Sequence, residues 1–70
     1  MDNFTLSIRL VYLRKFHGYT QWDVADILNI SRSTLSKYEK GLLTPNIETL
    51  IKLANLYNVS CDYLLCQNNP

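Results

Sequence analysis

Apolar residues recur at three- and four-residue intervals along most of the chain, the spacing of one face of an α-helix. Ile47, Leu50, Ile51, Leu53, Ala54 and Tyr57 form the most strongly patterned stretch and predict a helix that floors the core. Asn46 is placed to cap it, with Glu48 in its first turn. Nearer the start, Ile8, Leu10, Val11, Leu13 and Phe16 predict a helix over Thr5–His17, with Asp2 or Asn3 available as a cap. These positions outnumber one narrow stripe, so packing on two sides of that helix is expected. Lys15 and His17 suit the negative end of its dipole, and Gly18 ends it.

The rest of the chain is organised around Thr20–Gly41, which reads as two short helices joined by a tight turn. Thr20 is a natural N-cap, with Asp23 three residues on as a short-armed capping-box carboxylate. Val24, Ala25, Ile27 and Leu28 supply an apolar stripe, and Asn29, which tolerates positive φ, can end the helix. Ser31 then caps a second helix anchored by Leu35 and Tyr38 and stopped by Gly41. Its other face carries Arg32, Ser33, Ser36, Lys37 and Lys40. A narrow apolar stripe backed by a basic, small-polar face suits insertion into a major groove.

Pro45 keeps the Leu42–Pro45 turn from becoming helical, and Ser60 can cap a last helix from Cys61 to about Cys66. Gln67–Pro70 should fray. Seventy residues with only four Gly and Pro in total and close to half apolar composition imply one ordered domain, 1–70, of five helices. The formal charge is only +1, so there is no global basic signature. Distribution matters more: from Asn29 to Leu43, Arg32, Lys37 and Lys40 face only Glu39, a local balance of +2.

Candidate chemistry narrows the picture by exclusion. Cys61 and Cys66 sit five apart, roughly 140° around a helix, which suits neither a metal pair nor a mutual disulfide. They read as small apolar fillers in a reducing compartment. The chain has a single His, no Gly-rich phosphate loop and no His-Glu-x-x-His, so no catalytic, metal or cofactor site is expected. No small-molecule ligand is indicated either. Apolar runs are too short to span a membrane, and the N-terminus lacks the basic start and apolar core of a signal peptide. A cytoplasmic location is the expectation.

The order Arg9-Leu10, Leu13-Arg14, Gly18-x-Thr20-Gln21, Ala25, Leu28, then Ile30 through Gly41, followed by Pro45, resembles the phage-repressor/Cro-type helix-turn-helix family, also called the xenobiotic-response-element type. The likeness runs from about Ile8 to Leu65. It implies an all-α, compact five-helix, lambda-repressor-like fold whose third helix enters the major groove.

Carried over position by position, the resemblance implies that Arg32, Ser33 and Lys37 read base edges, with Thr34 and Ser36 reaching phosphate and Lys40 clamping the backbone. Gln21 matches the family's glutamine that opens the second helix, where its amide and the free helix N–H groups hold a phosphate. Arg14 and Glu39 match a pair that the family uses as a salt bridge between first and third helices, a structural role. Leu42 and Leu43 stand where many members carry basic residues, which predicts weaker backbone electrostatics at that turn. Asn46 stands where some phage repressors place a groove-probing arginine. Trp22 takes a position usually polar, where it could stack near a sugar-phosphate or cover part of a neighbouring helix.

The expected function is sequence-specific binding of double-stranded DNA by a transcriptional regulator, a repressor in preference to an activator. One recognition helix reads few base pairs, so a homodimer on a near-palindromic operator is the economical form. Leu64, Leu65 and Cys66 are the candidate dimer surface, the alternative being that they finish the core. The alternative is a protein-interaction module of the same fold, binding a toxin or a polymerase regulator through Trp22, Leu42 and Leu43.

Overall fold

The computed structural model describes residues 3–65, with side chains from Thr5 onward. Over these residues the chain forms α1 (Asn3–Phe16), α2 (Gln21–Leu28), α3 (Arg32–Lys40), α4 (Ile47–Tyr57) and α5 (Cys61–Leu64), and no strand. The all-α, five-helix expectation is met.

Capping explains why the helices start where they do. Thr20, Ser31, Asn46 and Ser60 are extended residues whose side chains each accept from the backbone N–H three positions on. Thr20 also completes its box, donating its own N–H to Asp23 Oδ2 at 2.8 Å. The stops share one geometry. Gly18, Asn29, Gly41 and Asn58 all adopt positive φ. In each case the following N–H reaches back five residues: Tyr19 to Arg14, Ile30 to Ala25, Leu42 to Lys37 and Val59 to Ala54. This is the Schellman closure, and it satisfies carbonyls that a helix end leaves unpaired.

α3 is clasped between α1 and α2, while α4 packs against α2 and α5. Leu10, Val24, Leu35, Leu53 and Leu64, one or more from every helix, are fully enclosed at their junction. Several boundaries and faces differ from the sequence reading. α1 begins at Asn3, so Asn3 lies inside the helix and is not its cap, and Asp2 lies outside the described residues. Only one face of α1 is packed, through Leu6, Leu10 and Leu13, because its helical neighbours all lie on that side. The surplus apolar residues Ile8, Tyr12 and Phe16 instead form an exposed row at four-residue spacing, with the Tyr12 and Phe16 rings 6.0 Å apart.

Ile27 on α2, and Ile47 and Ile51 on α4, are likewise exposed, since each helix buries a face narrower than its apolar content. α5 ends at Leu64, ahead of the expected Cys66. Leu64 is completely buried and belongs to the core, which removes it from any dimer surface. Leu65 is half-buried against that core, and Cys66 and the expected frayed tail lie outside the described residues. Among the described residues, no helix is long and apolar enough to cross a membrane.

Candidate nucleic-acid interface

The two caps Thr20 and Ser31 fix where α2 and α3 begin, and so place Gln21 and Arg32 at the first positions of the two helices. α3 turns Leu35, Tyr38 and Glu39 inward. Ser33, Lys37 and Lys40, spaced by four and three residues, then share an exposed outer face. Arg32, Thr34 and Ser36 flank that face and are half-buried. Thr34 lies 2.8 Å from the Ser31 hydroxyl, so its oxygen is already engaged with the cap.

Glu39 is the polar pivot beneath this face. Its side chain is 4% exposed, and a carboxylate that deep must be matched or neutralised. Arg14 Nε on α1 donates to Oε2 at 2.8 Å, and Gln21 Nε2 on α2 donates to Oε1 at 2.9 Å. Arg14 is anchored in turn by donating to the Tyr19 carbonyl at 3.0 Å. With its amide nitrogen on the carboxylate, Gln21 turns its oxygen toward Arg32, whose Nη1 donates to it at 3.1 Å. The opposite amide orientation would set oxygen against carboxylate and N–H against guanidinium, which fixes the assignment.

The chain Arg14–Glu39–Gln21–Arg32 therefore links three helices and ends at the outer face of α3. One N–H and the oxygen of the Gln21 amide are engaged inside the protein, on Glu39 and Arg32, and its second N–H is left for a further acceptor. The Arg32 guanidinium also lies over the Trp22 ring, with Cζ 5.1 Å from the centroid. Of the two placements that the sequence leaves open for Trp22, the ring takes the one against a neighbouring helix, while the Gln21–Arg32 contact was missed. The capped starts of α2 and α3 were readable, but their mutual orientation is a tertiary property.

Below Glu39, the Tyr57 hydroxyl of α4 is buried with no hydrogen-bond partner among the described residues. Burial, reinforced by the nearby Glu39 carboxylate and partly offset by Arg14, pushes this phenol above its ordinary pKa. Among the described residues, no group of three or more His, Cys, Asp and Glu is placed to hold a metal ion. The outer face of α3 thus presents hydrogen-bond donors, hydroxyls and two exposed lysines.

Comparison with known proteins agrees with this geometry. A helix-turn-helix family profile matches residues 10–64, from the second half of α1 through α5. The chain is 51% identical over 61 residues to the HTH-type transcriptional regulator ImmR of Bacillus subtilis (strain 168), covering 87% of this chain and 48% of ImmR. From the same organism, the SPbeta prophage-derived uncharacterized HTH-type transcriptional regulator YonR is 46% identical over 57 residues, covering 81% of this chain and 53% of YonR. The HTH-type transcriptional regulator AnsR is 42% identical over 57 residues, again 81% of this chain and 49% of AnsR. The chain thus spans about half the length of these curated relatives. The matched region contains the whole α2–α3 unit and the second half of α1, and on that ground the chain belongs to the phage-repressor/Cro-type helix-turn-helix family.

Proposed function

We propose that the chain binds double-stranded DNA sequence-specifically and regulates transcription, acting in the cytoplasm as a repressor. The family is a non-enzymatic DNA-binding class, and the relatives' names carry the regulatory part of the reading. The observation that supports it most is the outer side of α3, where Ser33 and Lys37 are exposed and Arg32, half-buried at the flank, is held by Gln21. Arg and Lys donate to guanine O6 and N7, and Ser serves as donor or acceptor. Thr34, Ser36 and Lys40 flank these readers within reach of the sugar-phosphate backbone. Gln21 is the phosphate contact, through its second amide N–H and the free N–H groups at the start of α2, while its carbonyl oxygen holds Arg32. Arg14 and Glu39 act structurally. A homodimer with half-sites about one helical turn, roughly 34 Å, apart gives the readout useful length.

Selection from a random duplex pool tests this reading, with wild type beside the R32A/K37A double variant. Enrichment of a two-fold symmetric motif that the double variant loses is expected. Failure to enrich any motif at low salt would overturn it. Light scattering that finds only monomer, free and on DNA, would remove the homodimer.

A second reading, a protein-interaction module, is favoured by the exposed apolar side chains beside α3. Leu42 is 72% exposed and Leu43 43% exposed. Salt separates the two readings. Duplex affinity carried by Lys and Arg falls steeply as salt rises, whereas apolar partner binding changes little.

A further inference from the structure

Trp22 is the one tryptophan in the chain and is 70% exposed on the first turn of α2. A ring left so far in water adds little to folding through burial, so the core does not account for it. What it does touch is Arg32. The guanidinium lies over the ring with Cζ 5.1 Å from its centroid, inside the range where the negative ring face attracts a cation. Gln21, the preceding residue, holds the same guanidinium by a 3.1 Å hydrogen bond. Adjacent residues of α2 thus bracket one side chain of α3, the Trp22 ring face by stacking and the Gln21 oxygen by direction. Ser33 and Lys37, further along the same outer face, are exposed.

We propose that Trp22 is a positioning residue for base readout: it holds the Arg32 guanidinium in one orientation before DNA arrives. This rests on the DNA-binding reading above. A long arginine side chain loses rotamer freedom when it docks on a base, and one already ordered loses less. One N–H of Arg32 goes to Gln21, and the others remain for the paired O6 and N7 acceptors of a guanine. Trp22 touches no base in this scheme. It acts through Arg32, so its effect belongs to the base pair that Arg32 reads. A ring that merely packed against sugar-phosphate would affect all sequences alike.

The test measures affinities for the selected duplex and its single-base-pair variants, using wild type, W22A, W22F, R32A and W22A/R32A. W22A is expected to narrow discrimination about two- to fivefold at the base pair whose preference R32A abolishes, and to leave other positions unchanged. W22F restores most of the loss, because it keeps an aromatic face. In the R32A background, W22A has no further effect. Melting temperatures of wild type and W22A coincide, because the ring is exposed. A loss from W22A that is equal at every base pair, or equal with and without R32A, would overturn the proposal.

Trp22 emission gives a readout that needs no DNA. R32A shifts the emission, K52A does not, and an unchanged spectrum in R32A would overturn the contact itself. A wild type that selects no duplex would overturn the DNA-binding reading and this role with it. A wild type that selects a duplex while W22A discriminates identically would overturn the role of Trp22 alone.

Discussion

α3 and α4 follow one another in the chain, are nine and eleven residues long, and are capped alike, yet they are held to the bundle by different physics. α4 buries Leu50, Leu53, Ala54 and Tyr57, a broad apolar face. α3 buries two large apolar residues, Leu35 and Tyr38, and beside them the carboxylate of Glu39. A helix that offers polar groups around most of its circumference has little apolar surface left to bury. Apolar burial is also non-directional, whereas hydrogen bonds to a carboxylate fix distance and angle. The two donors on Glu39 come from α1 and α2, so they set the pose of α3 relative to both. The difference teaches that the helix presented outward is aimed by directional contacts, and the helix beneath is held by area.

The sharpest way to break this distinction is to remove one anchor from each helix. Glu39→Ala leaves the Arg14 guanidinium buried without its carboxylate and frees Gln21, so a loss of about 3–5 kcal/mol is expected in denaturant unfolding. That is a large share of the total stability of a domain this small. Leu53→Ala, at a fully enclosed site, is expected to cost about 2–5 kcal/mol through lost transfer energy and a cavity. The two part company on DNA. Glu39→Ala also degrades base discrimination, because Gln21 and then Arg32 lose their support, while folded Leu53→Ala protein discriminates normally. Equal melting temperature for wild type and Glu39→Ala, or unchanged discrimination in that variant, would dissolve the contrast.

The same division explains what was legible in the sequence. Caps and stops are local: Thr20, Ser31, Asn46 and Ser60, with Asn29 and Gly41, carry their structure in their own side chains or backbone freedom. All were readable, and so was the five-helix fold. Which apolar residues end up buried is not local. Ile27, Ile47 and Ile51 fit a helical stripe as well as their buried neighbours do, and only the placement of other helices decides among them. The sequence leaves Leu64 open between core and dimer surface for the same reason, as periodicity cannot tell a surface stripe from a core one in so short a helix. At the candidate site the outer face of α3 was legible, because capping fixes its register. The Gln21 bridge and the Trp22–Arg32 stack were not, since each depends on how α2 crosses α3.

A smaller effect sharpens the comparison along α3 itself. Arg32→Ala and Lys37→Ala each remove a proposed reader without touching a buried anchor. Each is expected to cost about 1–3 kcal/mol of discrimination at one base pair, with little change in unfolding free energy. Binding isotherms on single-base-pair duplex variants check this. A uniform loss across all sequences would make these side chains phosphate contacts instead, and the aim of α3 would then matter less than its charge.

The smallest expected effect lies where the two regimes meet. Tyr57 belongs to the apolar face of α4, but its hydroxyl is buried near Glu39 without a partner among the described residues. A buried, unmatched hydroxyl costs stability, so Tyr57→Phe should gain about 1 kcal/mol by removing the cost and keeping the ring. Alkaline pH gives an independent check. An unfolded tyrosine ionises near pH 10, about its unperturbed value, while burial raises the folded pKa above that. Below that pH both states keep the proton and Tyr57 adds no pH dependence. Above it the unfolded chain releases the proton first, so stability falls as pH rises. Tyr57→Phe should remove this part of the alkaline slope while gaining stability at neutral pH. A variant that is less stable at neutral pH would mean that the hydroxyl is hydrogen-bonded, and the polar network around Glu39 would then extend one residue into the helix assigned here to apolar burial.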